Sequence, residues 1–246
     1  MIGCLIIHGF TGGPHEIKPL HSYLKERTDW KIDVPILKGH GEKLNLDDAT
    51  HETWLEESRL ALEKLRAECE TVYVIGFSMG GMIAAYLAAT QKIDKLVLLS
   101  TARKYLSFKY LSYYIAEMIG DGFKRKLHEN EHFVHFKSKF GEVPLKANIE
   151  FMRLVNRTKD YLKDITTPVF IAQGQKDEMV PFKTAYFLEK EIGSEHKEIV
   201  FFEQSDHLIC LGDDSEILNQ MIYHFLTEEE NLQKEVVTEE STVERR

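Results

Sequence analysis

The most informative segment of the sequence is the pentapeptide Gly76–Gly80 (GFSMG), which a further glycine follows at once. A Gly-x-Ser-x-Gly pentapeptide has little specificity alone, so its meaning depends on its flanks. Apolar, mostly β-branched residues precede it at 72–75, and an alanine-rich stretch of helical period follows it. The pattern predicts a sharp strand-to-helix turn that presents Ser78 as a nucleophile for acyl transfer.

This chemistry would explain both glycines of the pentapeptide. A strained bend brings neighbouring backbone close together, so Gly76 and Gly80 are expected where a Cβ does not fit. The helix that follows would place backbone N–H groups and its positive dipole end beside the Ser78 hydroxyl, where negative charge develops during acyl transfer. The alternative interpretation is a glycine-rich turn with a capping serine.

A serine nucleophile needs a general base and an acid that orients the base, and in this arrangement both follow the serine along the chain. The apolar run 169–173 is followed by GQKDEMVP, which contains Asp177. The run 198–202 is followed by EQSDH, which ends on His207. We therefore predict that His207 accepts the proton of Ser78 and that Asp177 holds the imidazole in the correct tautomer.

Two acids and two histidines are alternatives to these assignments. Glu178 adjoins the predicted acid and is the reserve candidate. Asp206 adjoins the predicted base and is interpreted as a turn residue, because a side chain rarely faces the ring of its own neighbour in sequence. His8 and His40 also lie near predicted strand ends, but they precede the serine, so His207 is preferred as the base.

Two backbone N–H groups are predicted to stabilise the tetrahedral oxyanion. Met79, the residue after the serine, would supply the first. An early strand runs into the glycine-rich loop 8–14 (HGFTGGP), in which the backbone amide of Phe10 is predicted to supply the second. The alternative for this loop is a simple strand-to-helix turn. Neither Gly-x-Gly-x-x-Gly nor Gly-Lys-Ser/Thr is present, so a nucleotide site is not predicted.

The elements that must position these residues form an alternating pattern. Short apolar runs alternate with segments of helical period, which is typical of an α/β fold with a mostly parallel sheet covered by helices on both faces. The predicted strands are 4–8, 31–34, 72–75, 95–99, 169–173 and 198–202. The predicted helices are 16–27, 53–67, 80–89, 182–192 and 215–226.

The alternation fails between residues 100 and 168, where many aromatic residues are interspersed with lysines. Two strands do not need so long a connection, which predicts a helical cap over the carboxyl edge of the sheet. A few additional core helices are the alternative. The predicted organisation is an α/β core (1–102 and 167–226), a helical cap insertion (103–166) and a charged C-terminal tail (227–246).

The overall composition limits the partners. With 246 residues, 43% of them hydrophobic and 29% charged, the chain is long enough to bury a core. The net charge of −9 and the dispersed basic residues argue against a nucleic-acid partner. The apolar segment 2–7 is too short to insert in a membrane and lacks the features of a signal peptide. We expect a small-molecule substrate and a monomer or weak homodimer.

Cysteine and histidine usage is also informative. The three cysteines are odd in number and far apart, which predicts neither a disulfide framework nor a zinc site, and fits the reducing cytoplasm. The eleven histidines include no His-Glu-x-x-His pattern, so no metal is predicted.

Five segments together carry a family resemblance: HGFTG, LKGHG at 37–41, GFSMGG, QKDEMVP and EQSDH. They resemble the small bacterial carboxylesterases and monoacylglycerol lipases of the α/β-hydrolase superfamily. The likeness extends to about Leu226 and is weakest in the insertion, where such enzymes are expected to carry a small helical cap. Many α/β-hydrolases open with antiparallel strands, and we expect these strands to be missing or minimal here, because the strand before His8 comes almost at once. The residues that match the family's triad and oxyanion donors are Ser78, Asp177, His207, Phe10 and Met79.

The resemblance implies hydrolysis of short- to medium-chain carboxylic esters or monoacylglycerols through an acyl-enzyme, without a metal or organic cofactor. The aromatic and methionine residues of 104–152 favour an apolar acyl or alcohol site over one for charged substrates. A thioesterase or amidase would use the same triad. A non-catalytic small-molecule receptor, and a cofactor-free lyase or perhydrolase, are alternatives on the same scaffold.

Overall fold

The computed structural model describes residues 1–41, 43–103 and 143–228. These residues form a six-stranded sheet in the order β2-β1-β3-β4-β5-β6, in which every neighbouring pair is parallel. The predicted α/β fold is therefore confirmed. The strands are β1 (Ile2–Ile7), β2 (Lys31–Asp33), β3 (Thr71–Phe77), β4 (Lys95–Leu99), β5 (Val169–Gly174) and β6 (Lys197–Phe202).

Burial explains why the inner strands appear in the sequence as continuous apolar runs. β4 and β5 are buried along their whole length, and β1 and β3 are buried after their first residue. Strands that are covered on both faces have no polar face to alternate with, unlike the part-buried outer strands β2 and β6. The parallel register brings the carboxyl ends of β3, β4 and β5 to one edge of the sheet.

Helices cover both faces of the sheet. Each of the predicted helices is present, but the first one differs at its start, where a 3-10 turn over Pro14–Ile17 precedes the α-helix. The second begins two residues earlier than predicted, after Thr50, whose hydroxyl accepts a hydrogen bond from Thr53 N. The α-helices of the described residues are α1 (Lys18–Arg27), α2 (His51–Arg66), α3 (Met79–Thr90), α4 (Leu145–Thr158), α5 (Thr184–Glu191) and α6 (215–228).

The two faces of the sheet carry separate apolar cores. Leu5 and Ile7 of β1 point into the core formed with α2, α3, α4 and α5. Cys4 and Ile6, their neighbours in sequence, point into the core formed with α1 and α6. Alternation of side chains along one strand thus supplies both layers, as expected for a sheet between two helical layers.

Much of the predicted cap insertion (103–166) lies outside the described residues, since 104–142 are not described. Its last part is described: α4 packs in the same core as α2 and α3, with Ala147 and Leu154 fully buried. Most of the predicted tail, from residue 229 onward, is likewise outside the described ranges. Across those ranges, no helix combines the length and the apolarity needed to cross a membrane.

All three cysteines are buried free thiols. Burial raises the pKa of the Cys4 and Cys210 thiols to about 12. A thiol that stays protonated is a poor nucleophile, so these two side chains act as small apolar groups of the core.

Candidate active site

Ser78 lies at the turn between β3 and α3, as predicted. Its φ is 53° and its ψ is −113°, a conformation that a non-glycine residue rarely adopts. Backbone hydrogen bonds hold the turn from both sides: Ser78 N donates to Leu99 O at 2.8 Å, and Gly81 N donates to Ser78 O at 3.0 Å. The strained residue is thus fixed between two strands and a helix, with its side chain at the carboxyl edge of the sheet.

The two glycines that flank the turn are required by space, which confirms their predicted role. A Cβ on Gly76 would overlap the backbone of Gly80, and a Cβ on Gly80 would overlap the carbonyl group of Ile7. The contact with Ile7 brings the start of α3 against the end of β1. The turn can therefore form only where these positions lack side chains.

The side chains of Ser78, His207 and Asp177 form a continuous hydrogen-bonded chain. His207 Nδ1 lies 2.7 Å from Asp177 Oδ2, and His207 Nε2 lies 2.9 Å from Ser78 Oγ. An ionised carboxylate can only accept, so Nδ1 carries the imidazole proton and donates it. Nε2 of the neutral ring is then free to accept from the serine hydroxyl, the geometry required of a general base.

Asp177 is fixed by four hydrogen bonds. Its Oδ1 accepts from Met179 N at 2.9 Å and from Val180 N at 2.7 Å. Its Oδ2 accepts from Gln173 Nε2 at 2.8 Å as well as from His207. Rotation of the carboxylate would break these hydrogen bonds, so Asp177 favours one orientation of the imidazole.

The alternative residues occupy other positions. Glu178 is exposed beside the buried Asp177. Asp206 is exposed, and its Oδ1 accepts from Leu208 N at 2.8 Å, which confirms its interpretation as a turn residue. His8 and His40 are buried against each other, with ring centroids 4.9 Å apart.

Of the two predicted oxyanion donors, Met79 directly follows Ser78, and Phe10 lines the same cavity as Ser78. Met79 is the first residue of α3, so its N–H has no partner within the helix. The N–H of Phe10 belongs to the Gly9–Phe10 peptide group. The carbonyl oxygen of this group, Gly9 O, lies 2.8 Å from His8 Nδ1, which fixes it. The Gly9–Phe10 peptide is trans, so the N–H of Phe10 points away from that carbonyl in a defined direction.

The tautomer of His8 follows from its partners. Leu37 N donates to His8 Nε2 at 3.2 Å, so Nε2 has no proton and Nδ1–H donates to Gly9 O. Burial lowers the pKa of His8 to about 4, although the hydrogen bond to Gly9 opposes this shift. Burial also lowers the pKa of His40. Both rings are therefore neutral at neutral pH, and His8 serves as a fixed support for the loop.

The ring of Phe10 is held by three aromatic side chains. It stacks on Phe151 of α4, with centroids 5.0 Å apart and planes 9° from parallel. It also meets the rings of Trp54 and His40 edge to face, at 5.8 and 6.2 Å. The described end of the predicted cap insertion is thus in direct contact with the residue proposed as an oxyanion donor.

A cavity of about 210 Å³ opens beside Ser78 and His207. Its walls are both apolar and polar. The apolar lining comes from Phe10, Phe77, Phe151, Met179 and Leu208, and the polar lining includes Thr11, His15 and Glu16. Ser78, His207 and Asp177 are only 5%, 7% and 6% exposed, so the hydrogen-bonded chain is shielded from bulk water.

The sequence matches the protein family described as Hydrolase_4, serine aminopeptidase, S33, over residues 4–214. The chain belongs to this family. The thermostable monoacylglycerol lipase of Bacillus sp. (strain H-257) is 27% identical over 239 residues, which cover 91% of this chain and 90% of that protein. The carboxylesterase of Bacillus subtilis (strain 168) is 24% identical over 226 residues, which cover 90% of this chain and 91% of that protein.

A solved structure of low sequence identity shows the same fold. A structure from work on the metagenome-derived lipolytic enzymes LipS and LipT superposes with a TM-score of 0.76 at 20% identity, covering 92% of this chain and 94% of the other. The predicted membership in the α/β-hydrolase superfamily and the predicted α/β-hydrolase fold are confirmed. So is the prediction that this member of the S33 family is a hydrolase.

Two polar residues at the site of this S33 family member were not anticipated from its sequence. Gln173 is buried and donates to Asp177, although it appears only as the polar end of an apolar run. Glu16 lines the cavity, and its Oε2 accepts from Gly9 N at 3.1 Å and from Gly13 N at 3.2 Å. Burial raises the pKa of Glu16, and the two backbone hydrogen bonds and His15 oppose the shift. A glutamate three residues after Gly13 is a helix-capping signal that could have drawn attention to it.

Proposed function

We propose that the chain is a serine carboxylesterase that hydrolyses short- to medium-chain carboxylic esters or monoacylglycerols through an acyl-enzyme. The observation that carries this proposal is the hydrogen-bonded chain from Ser78 Oγ through His207 to Asp177, with distances of 2.9 and 2.7 Å, beside a partly apolar cavity. The names of the two bacterial relatives, a monoacylglycerol lipase and a carboxylesterase, support an ester as the substrate.

In the acylation half-reaction, His207 Nε2 accepts the hydroxyl proton while Ser78 Oγ attacks the ester carbonyl carbon. The carbonyl oxygen becomes an oxyanion, which accepts hydrogen bonds from the N–H groups of Phe10 and Met79. The imidazolium, stabilised by Asp177, then gives its proton to the leaving alcohol. The acyl group remains on Ser78 as an ester.

In the deacylation half-reaction, a water molecule takes the place of the alcohol. His207 Nε2 accepts a proton from this water as the oxygen attacks the acyl carbon, and the second oxyanion uses the same two N–H groups. When this intermediate collapses, His207 returns the proton to Ser78 Oγ. The products are one carboxylic acid and one alcohol for each ester, and the enzyme is restored.

The apolar part of the cavity supports an uncharged acyl or alcohol group. Phe10, Phe77 and Phe151 offer ring surfaces, and Met179 and Leu208 offer flexible aliphatic surface. Burial of apolar surface provides binding energy for a chain of several methylene groups, at about 0.8 kcal/mol for each. The carboxyl group of Glu16 in the same lining disfavours esters that carry a negatively charged group.

The test is hydrolysis of p-nitrophenyl hexanoate by the wild type and by Ser78→Ala. Ser58→Ala is the matched control, because it removes a buried serine hydroxyl of α2 whose partner is Trp54 O. Wild type and control are expected to turn over, while kcat of Ser78→Ala falls by at least about 10³-fold with the fold retained by circular dichroism. Equal activity in Ser78→Ala would refute the nucleophile, and turnover only of hexanoyl thioesters or anilides would point to the thioesterase or amidase alternative.

A further inference from the structure

One buried carboxylate closes the loop between β1 and the 3-10 turn. We define residues 9–13 as the oxyanion loop. Glu16 Oε2 accepts from Gly9 N at 3.1 Å and from Gly13 N at 3.2 Å, so the two ends of this loop share a single acceptor atom. Glu16 is only 9% exposed and both hydrogen bonds are buried, so loss of this acceptor would leave two buried N–H groups without a partner.

The first of these bonds acts directly beside the proposed oxyanion donor. The peptide groups on both sides of the Gly9 Cα are fixed: its N–H by Glu16, and its C=O by His8 at 2.8 Å. The second of these peptide groups includes the N–H of Phe10. Rotation about either backbone bond of Gly9 would break one of these hydrogen bonds, so they favour one direction of the Phe10 N–H before any substrate binds.

We propose that Glu16 is a positioning residue for the oxyanion hole, which holds the Phe10 N–H toward Ser78 by fixing the two ends of the oxyanion loop. This inference rests on the proposed function, because it requires that Phe10 N–H stabilises an oxyanion. Preorganised donors stabilise the transition state more than the bound substrate, so the effect of Glu16 belongs in kcat rather than in KM.

A purely structural role is the competing explanation. Glu16 also caps the 3-10 turn that begins at Pro14, since Gly13 N is the N-cap amide. A cap alone predicts that loss of the carboxylate lowers the melting temperature and leaves kcat unchanged. The positioning role predicts a loss of kcat in protein that is fully folded under the assay conditions.

The first pair of variants is Glu16→Ala and Glu16→Gln, assayed with p-nitrophenyl hexanoate. Glu16→Ala removes the shared acceptor, and we expect kcat to fall at least about tenfold with KM changed less than about threefold. Glu16→Gln keeps an amide oxygen that can accept both N–H groups, so most of kcat should be recovered. Inhibition by an alkylboronic acid, which forms a tetrahedral adduct on the serine, should weaken in Glu16→Ala in parallel with kcat/KM.

In a second pair of variants, one member displaces the Glu16 carboxyl group while residue 16 stays a glutamate, and the other is its control. A Cβ on Gly12 would overlap the carboxyl group of Glu16, whereas the nearest atom to a Cβ on Gly13 is His15 Nδ1 at 3.4 Å. Gly13 has an extended φ of 178°, so alanine fits its backbone. We expect Gly12→Ala to reproduce the loss of kcat in Glu16→Ala, and Gly13→Ala to cost much less. This pair also carries the test if Glu16→Ala does not fold.

Asp94→Ala controls for general destabilisation, because it removes the acceptor of a backbone N–H as Glu16→Ala does. Asp94 also accepts a backbone N–H, from Val72 at 2.7 Å, but it lies at the opposite end of the sheet from Ser78. This control variant is expected to have a lower melting temperature and an unchanged kcat.

The inference is overturned if Glu16→Ala keeps kcat within about twofold of wild type, or if Gly12→Ala and Gly13→Ala are equivalent. It is also overturned if Glu16→Gln is as impaired as Glu16→Ala, because the hydrogen bonds would then not be what matters. Failure of the proposed function is a separate result: wild type would not hydrolyse the ester, or Ser78→Ala would remain active. If the wild type hydrolyses the ester and this activity depends on Ser78 but not on Glu16, the positioning role is refuted and the proposed function stands.

Discussion

His207 Nδ1 lies 2.7 Å from Asp177 Oδ2, on a carboxylate whose other oxygen accepts two backbone N–H groups. The acid therefore cannot turn away from the ring, and the ring cannot present its other tautomer to Ser78 without losing this bond. Asp177→Asn is expected to lower kcat by about 10⁴-fold, because an amide at this position favours the wrong tautomer. Steady-state hydrolysis of p-nitrophenyl hexanoate measures this loss.

Glu178→Gln is the matched control for that prediction. Glu178 adjoins the buried acid but is itself exposed, so the variant is expected to stay within about threefold of wild-type kcat. A larger loss in Glu178→Gln than in Asp177→Asn would transfer the role of the acid to Glu178.

The buried His8 predicts how stability depends on pH. Its pKa is about 4 in the folded protein and near 6.5 when unfolded. Between these values the unfolded chain binds a proton that the folded chain does not. His8 therefore lowers stability as pH falls from about 6.5 to 4, by at most about 3 kcal/mol.

Urea unfolding of wild type and His8→Gln across this pH range measures the effect. The decline in unfolding free energy should be shallower in His8→Gln, whereas His196→Gln, which changes an exposed histidine, should follow wild type. Glu16 has the opposite effect on the free energy of unfolding. Its pKa is raised in the folded protein, so its contribution to stability is lost as the pH rises. Glu16 is present in all three proteins, so its contribution cancels. Parallel curves for wild type and His8→Gln would contradict the assignment.

The stack of Phe151 on Phe10 predicts a change in acyl-chain preference. Phe151→Leu removes ring surface from the cavity, so longer acyl chains should gain relative to shorter ones by about tenfold in kcat/KM. The variant is expected to be destabilised by about 1–3 kcal/mol. A series of p-nitrophenyl esters from butanoate to decanoate measures the preference.

Ile149→Ala is the control on the same helix, since Ile149 is 41% exposed and does not line the cavity. It should leave the chain-length profile unchanged. An unchanged profile in Phe151→Leu as well would show that Phe151 does not limit the substrate.

A polar contact attaches α4 to the start of α2. Glu150 Oε2 accepts from His51 N at 3.1 Å and lies 2.6 Å from His51 Nδ1. Burial alone would raise the pKa of Glu150, but the hydrogen bonds from His51 and Arg153 outweigh it and hold that pKa below its usual range. Glu150 therefore stabilises the fold at pH values above the usual pKa of a glutamate. This stabilisation is lost as the pH falls through the lowered pKa of Glu150 in the folded protein.

A double-mutant cycle with His51→Ala and Glu150→Ala measures this contact near neutral pH. We expect a coupling of about 1–3 kcal/mol in unfolding free energy, because both side chains are mostly buried. The exposed pair Arg59 and Glu56 on α2 is the control and should show a much smaller coupling. Equal couplings for the two pairs would contradict a stabilising contact between α4 and α2.

Local sequence signals anticipated most of the sheet and the order of the site residues. β4 was predicted with its observed bounds because a strand buried on both faces appears as one apolar run. The turn at Ser78 was predictable because its glycines are required by close backbone contacts. The start of α1 was less predictable, because Pro14 begins a 3-10 turn that a helical period alone does not distinguish from an α-helix.

Long-range contacts account for what the sequence did not indicate. The stacking of Phe10 on Phe151 joins residues far apart in the chain, and no local pattern specifies such a pair. Gln173 and Glu16 look like ordinary polar residues until the fold brings Asp177 and Gly9 within hydrogen-bonding distance. Sequence patterns thus predicted the catalytic candidates, while the residues that hold them in place required the folded structure.

The central claim, that Ser78 is the nucleophile, is tested most directly by covalent labelling with diethyl p-nitrophenyl phosphate. Attack by the serine oxygen forms a phosphoryl ester and releases one p-nitrophenolate per enzyme molecule. We predict that esterase activity disappears in proportion to this release, that peptide mass spectrometry places the diethylphosphoryl group on Ser78, and that Ser78→Ala is not labelled. Full inactivation with the label on another residue, or undiminished activity after Ser78 is labelled, would contradict the assignment.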